Sequence, residues 1–306
     1  MSSIKEKYID YCKTNETPLF FKPIWLDAIN PNWDVLYKKV EEKEAFFIYH
    51  FEKKIQFKMI RNTHLTPYTG FLFLDKNIDH HIKQQLVNEL LAELPKCDEL
   101  YLDFYFSLSS DFTFGDYTTE IKITNLLKLT NEDEIWNNYR PALKRQIHKA
   151  TKNIFIEEID DIKIFYSLHE KTFLKQNKKA DVPFEAFEKI WKMCKNNQLG
   201  KLYIAKDIEN NIHAAIFLCY DKSTSYYLAG GTDASFYGSG AMSLLMHSMI
   251  IYSLKLGKEF FDFEGSMLFN VNRFFQNFSP KEIPYFNIKK MNSPILRFLK
   301  SIKKRT

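Results

Sequence analysis

The chain has 306 residues, 45% of them apolar and 16% aromatic, which is enough to bury a sizeable core and excludes a disordered or low-complexity protein. The net charge of +5 is unevenly placed: from Lys281 onward eight Lys/Arg stand against one acid, so that stretch carries +7 and the first 280 residues carry −2. The basicity therefore belongs to the tail, and no DNA-binding role is expected.

The length fits two domains better than one. No apolar run is long enough to span a bilayer and MSSIKEKYIDYCK lacks a signal-peptide pattern, so the cytoplasm is the expected compartment. Cys12, Cys97, Cys194 and Cys219 show neither metal-ligand nor disulfide-framework spacing, and free thiols with no metal site are expected.

In chain order, residues 1 to 33 read as a loosely held start followed by a short helix, Pro23 to Ile29, anchored by Trp25 and Leu26. Strand-like alternation follows over Asp34 to Lys39, Ala45 to Phe51 and Ile55 to Arg61. His64 to Gly70 is a turn-rich loop, Phe71 to Leu74 a short strand, and Asp79 to Leu94 an amphipathic helix. Strands are expected at Glu99 to Phe106 and Glu120 to Leu129. Asn131 to Ala150 reads as one helix despite Pro141, and its Arg140, Lys144, Arg145, His148 and Lys149, with Lys152 beyond, form either a solvated face or a contact for nucleotide or RNA phosphate.

The second half runs strand (Ile154 to Glu158), helix (Ile162 to Gln176), helix (Pro183 to Asn196) and three strands (Leu202 to Asp207, Ile212 to Tyr220, Ser225 to Gly231). A glycine turn, Tyr237-Gly238-Ser239-Gly240, leads into an apolar helix, Ala241 to Leu256. A strand (Phe260 to Glu264), a helix (Asn270 to Phe278) and a strand (Tyr285 to Lys290) close it. This is a mixed α/β pattern in which an antiparallel meander feeds one turn-helix-strand unit.

Chemistry concentrates between Tyr226 and Ser266. Gly238 and Gly240 let backbone approach a ligand, Ser239 can cap the helix that follows, and a helix start offers unpaired N–H groups with partial positive charge. A phosphate suits that position; the alternative is an ordinary glycine-rich helix entry. Asp262 and Glu264, two apart on a strand, point to one face and Phe261 and Phe263 to the other. Two acids on a buried strand are costly unless paired, hydrated or used, and a solvated strand end is the competing reading. His247, inside the apolar helix, is expected as a hydrogen-bonded core histidine.

These stretches resemble a known family. The second half is similar to the GNAT acyltransferase fold, and the whole chain resembles the tandem-domain members related to the Fem peptidoglycan aminoacyltransferases. The resemblance rests on WNNYRPALKRQIHKA (136–150), YYLAGG (226–231), Leu244 to Gly257 and FDFEGSMLFNVNRFFQNF (261–278), with PIWLD (23–27) and TPYTG (66–70) upstream. It implies two GNAT-like domains, residues 1–130 and 131–290, and a basic amphipathic tail, 291–306. The first domain is degenerate, because Leu74 to Asp79 holds no glycine.

The resemblance further implies acyl transfer to an amine. Ser235, Gly238 and Gly240, with Ser239 and Ala241, would form the acyl-CoA pyrophosphate loop, and the backbone at Leu228, Ala229 and Gly230 would polarise the thioester carbonyl. Glu264 or Asp262 would accept the amine proton or bind the cationic amine, and Tyr252, or Tyr237, would protonate the thiolate. Tyr139, Arg145, Tyr227, Phe275 and Gln276 would surround the acceptor; Phe275-Gln276 stands where the Fem enzymes carry Phe-Lys. The implied co-substrate is acetyl-CoA or another acyl-CoA, and the acceptor is an amine of a small molecule or envelope precursor. An aminoacyl-tRNA donor and a catalytically silent binding module are the alternatives. The tail, Pro294 to Lys304, either docks on the protein or lies on an anionic membrane at its inner face.

Overall fold

The computed structural model describes residues 3–105, 108–109, 111–174, 179–265 and 269–303. Expected element ends at Phe106, Gln176 and Lys304, and Ser266 of the site stretch, lie outside the described residues. The chain divides into two compact units, Met1–Lys122 with Pro284–Thr306, and Ile123–Ile283. The residues expected as a separate tail thus group with the first unit.

The first unit opens with α1 (Ile4–Thr14), where Ser3 Oγ accepts from the Glu6 amide and the Glu6 carboxylate accepts from the Ser3 amide, a reciprocal cap. Tyr8 on this helix is fully buried and its hydroxyl donates to the Phe21 carbonyl, so the start of the chain is core and not the loosely held segment the sequence suggests. The helix α2 (Pro23–Ile29) follows, with Trp25 and Leu26 buried. Then come β1 (Trp33–Val40), β2 (Lys43–Lys54), β3 (Phe57–Arg61), β4 (Gly70–Phe73), α3 (His80–Ala92) and β5 (Glu99–Asp103). Strand β2 pairs antiparallel with β1, β3 and β4, and β3 runs parallel to β5. At the start of α3 the Asp79 carboxylate accepts from the His81 amide. A carboxylate already holds that helix N-terminus, so the first unit offers no anion cradle there.

The second unit begins within β6 (Thr118–Lys128) and continues through α4 (Glu132–Asn138), α5 (Pro141–Ala150), β7 (Ile154–Ile159), α6 (Ile162–Leu174), α7 (Phe184–Asn197), β8 (Gly200–Asp207), β9 (Ile212–Tyr220) and β10 (Thr224–Thr232). A 3-10 turn (Ala234–Ser239) leads into α8 (Ala241–Lys255), then β11 (Phe260–Asp262), α9 (Phe269–Phe275) and a second 3-10 turn (Gln276–Phe278). The single helix expected over 131–150 is two: Pro141 opens α5 and Arg140 before it is extended, as a residue preceding proline must be.

Strands β7 to β10 form an antiparallel meander, β11 lies parallel to β10, and β6 lies antiparallel to β11. On one face Leu143 and Ile147 of α5 and Leu245 and Met249 of α8 pack with Ile216, Leu218, Phe261 and Phe263. On the other, Phe165 of α6 and Trp191 of α7 meet Phe217 edge to face. The chain then returns to the first unit through β12 (Lys281–Met291), antiparallel to β5, and ends in α10 (Pro294–Lys303).

Candidate active site

Strand β11 accompanies β10 only from Thr224 to Tyr226, and a bulge interrupts the β9–β10 register between Tyr227 and Ala229. The two parallel strands therefore part after Tyr226. Past that point α6 serves β10: His169 Nδ1 donates to the Gly230 carbonyl (3.2 Å) and the Thr232 amide donates to Thr172 Oγ1 (3.1 Å).

A cavity of about 470 Å³ opens beside this stretch. Tyr227, Gly230, Gly231 and Thr232 of β10, the 236–240 turn, Ala241 to Ser243 of α8 and Phe274 and Phe275 of α9 line it, with Gln146 and Lys149 of α5. Its size suits an organic ligand. Ser239 Oγ accepts from the Ala241 amide, while the Met242 and Ser243 amides in the first turn of α8 have no partner among the described residues. Lys149 Nζ donates to the Gly238 carbonyl (3.0 Å), which sets a cation beside the same turn. The wall thus combines a helix start, a lysine and aromatic rings, and no carboxylate lines it.

The two turn glycines serve different ends. Gly238 has open space where a Cβ would stand, whereas a Cβ on Gly240 would come within 2.7 Å of the Gln146 carbonyl, at a φ of +78°. Gly240 is thus required by the approach of α5 and by its left-handed backbone. Gly230 gives room to Tyr227, whose hydroxyl would stand 2.2 Å from a Cβ there.

The expected acid pair takes another form. Strand β11 ends at Asp262, and Glu264 follows with a left-handed φ of +56°, so the two carboxylates do not share a strand face. Instead Asp262 Oδ1 accepts from the Glu264 amide (2.8 Å) and from Thr124 Oγ1 (2.7 Å), and the strand end closes as an Asx turn. Asp262 is fully buried, its Oδ2 has no partner among the described residues, and burial raises its pKa to about 6. Glu264 Oε1 is buried with no partner among the described residues, and burial first, then the Asp262 charge, hold its carboxyl well above the usual range. Tyr227, on the cavity wall, is likewise raised, by burial and then by the Glu264 charge.

Of the other expected site residues, Ala241, Gly230, Tyr227 and Phe275 line the cavity, and Leu228, Ala229, Ser235, Arg145 and Gln276 do not. Leu228 is buried, Ser235 is exposed with its amide donating to the Asp233 carboxylate, and Gln276 donates to Asn125 and Glu282. Tyr139 is a core residue, its hydroxyl 3.3 Å from His247 Nδ1 and its ring edge-on to Phe278. Tyr252 lies three turns along α8, roughly 16 Å of helix from Ala241 at 1.5 Å per residue. There its ring meets Tyr203, so it cannot serve this cavity. Lys149 belongs to the basic run that the sequence offers as a phosphate contact, whereas sequence reasoning missed Gln146, three residues earlier on the same face of α5. It also missed His169 and Thr172, which no motif marks. Among the described residues no group of three His, Cys, Asp or Glu is placed to hold a metal ion.

A strand that parts from its parallel neighbour, a glycine turn and a helix start opening on a cavity define the GNAT class of acyltransferase fold. Residues 137–267, within the second unit, match the model of the acetyltransferase (GNAT) domain. Over nearly its whole length the chain has the fold of FemX, with a TM-score of 0.66 at 13% identity, covering 97% of this chain and 98% of that one. The C-terminal domain of a putative lysylphosphatidylglycerol synthetase from Agrobacterium fabrum is similar at a TM-score of 0.54 and 13% identity, with 97% and 94% covered. L-PGS from Bacillus licheniformis gives 0.54 at 10% identity, with 92% and 90% covered. Over nearly its whole length the chain thus shares the fold of these structures, and the match to the acetyltransferase (GNAT) domain lies within its second unit. No curated protein sequence matches it.

Proposed function

We propose that the second unit transfers an acyl group, acetyl in the simplest case, from acyl-CoA to an amine of a small molecule or cell-envelope precursor. The observation that carries this reading is the cavity at the start of α8, where free amides and Lys149 suit a diphosphate and the aromatic wall suits an apolar arm. Glu264, with Asp262 behind it, accepts the proton of the incoming ammonium through water. The free amine attacks the thioester carbonyl, the C–S bond breaks, and Tyr227, kept protonated by its raised pKa, gives its proton to the leaving thiolate and regains one, through water, from the nitrogen as the amide forms.

The test is thiol release from acetyl-CoA with a panel of amines, beside a melting-temperature shift on adding CoA. Glu264→Gln is expected to lower kcat by about 100-fold with the CoA shift retained, and Tyr227→Phe by about tenfold. Because burial, and then the Asp262 charge, hold the Glu264 carboxyl above the usual range, kcat/KM should climb with pH on a limb displaced upward from that of an ordinary carboxylate, and Glu264→Gln should flatten that limb. Unchanged turnover in Glu264→Gln removes it as the base; absence of any CoA shift removes the donor.

A second reading, aminoacyl transfer from charged tRNA, is favoured by the exposed cations of α5. Arg145 there, and Lys152 just beyond, have no ion-pair partner among the described residues. A charged-tRNA complex that CoA does not displace would select it.

A further inference from the structure

Helix α10 carries an apolar face that the described residues leave bare. At about 100° per residue, Phe298, Ile302, Ile295 and Leu299 fall within one arc of about 100° on the helix. They are 65%, 48%, 61% and 48% exposed. A different side attaches the helix. Leu296 is 8% exposed, Arg297 donates to the Met291 carbonyl (2.7 Å), Lys300 pairs with Glu99, and the Asn292 and Ser293 amides donate to the Asp98 carbonyl. The bare arc is thus not what holds α10 to the first unit.

Charge indicates what covers it. From Asn292 to the end the sequence holds Arg297, Lys300, Lys303, Lys304 and Arg305 and no acid. A covering surface must accept large apolar side chains at depth and cations at its rim. A nucleic acid offers the charge without the apolar depth, and a second copy of this helix would set like charges against each other. An anionic bilayer offers both.

We propose that α10 is a membrane-surface helix, lying in the plane of an anionic lipid layer with Ile295, Phe298, Leu299 and Ile302 inserted. No helix among the described residues is long and apolar enough to cross a membrane, so the contact is peripheral. One short helix gives reversible attachment. The proposal stands independently of the reading of the cavity, and it would bring the acyltransferase unit to acceptors presented at a lipid surface.

The experiment is co-sedimentation of the full chain with phosphatidylglycerol/phosphatidylcholine vesicles and with pure phosphatidylcholine vesicles, at low and high salt. Binding is expected on the anionic vesicles, weaker by about tenfold or more on phosphatidylcholine, and released by salt. Phe298→Glu/Leu299→Glu is expected to lower it by about tenfold or more, with the melting temperature unchanged because both side chains are exposed. Ile295→Ser/Ile302→Ser, which adds no charge, should weaken it in the same direction. Equal binding by wild type and both variants, or equal binding to the two lipids, would overturn the proposal. So would a dimer or an RNA complex that the variants abolish while vesicle binding is absent.

Discussion

His50, on β2, is fully buried and neither of its ring nitrogens has a hydrogen-bond partner among the described residues. Burial, with a further push from Lys5, lowers its pKa from 6.5 to about 4. The folded state therefore holds the ring neutral where an unfolded chain would protonate it, and stability is lost as pH falls from about 6.5 toward 4. Between pH 7 and pH 5 the loss assignable to this group is about 2 kcal/mol. Urea unfolding of wild type and His50→Leu at the two pH values checks it: the variant should lose less stability on acidification by about that amount and be no less stable at pH 7, since an unpaired buried polar group is removed. An identical pH slope in the two proteins would show that His50 is not the group responsible. Neither this ring nor the left-handed Glu264 is legible in sequence, because each depends on what surrounds it in space. Ser3 and Glu6 are different: a serine three residues before a glutamate is a readable helix start, overlooked in favour of a loose terminus.

At the scale of elements, the close seating of α6 on β10 shapes the cavity floor. A Cβ on Gly231 would stand 2.2 Å from the Leu168 carbonyl carbon and 2.3 Å from the His169 amide nitrogen, both backbone atoms that cannot step aside. Gly231→Ala is expected to cost about 3 kcal/mol or more and to disturb the His169 and Thr172 contacts that serve the strand. Gly238→Ala, with open space at its Cβ, should stay within about 0.5 kcal/mol of wild type. Denaturant midpoints of the two variants decide between a packing role for Gly231 and a general intolerance of this region. The glycine turn, the apolar α8 and the strand after it were legible because glycine spacing and hydrophobic runs are local signals. The parting of β10 from β11 and the rescue of its edge by α6 are not local. The break at Arg140 lay between: the rule for residues before proline marks it, but helix formers on both sides of Pro141 mask it.

For the whole molecule, the decisive fact is that the chain crosses between units twice. Phe286 and Ile288 of β12 lie in the core of the first unit, beside Leu100 and Leu102 of β5, and Asn287 donates to the Leu102 carbonyl. Ile288 is fully buried, so Ile288→Ala should cost about 2–5 kcal/mol. Hydrogen exchange should place the loss of protection in β5 and in α3, whose Leu90 shares that core, more than in α8. Equal loss in α8 would mean that the units do not open separately. The return of residues 284–306 was not legible in the order of strands and helices. Strand patterning says that Tyr285 to Lys290 is extended but not which sheet will accept it.

That return bears on how the protein is made. Synthesis from the N-terminus delivers every strand of the second unit before β12 emerges, so the half begun first is finished last. Until then β5 presents an unpaired edge and the nascent first half stands exposed to misassociation.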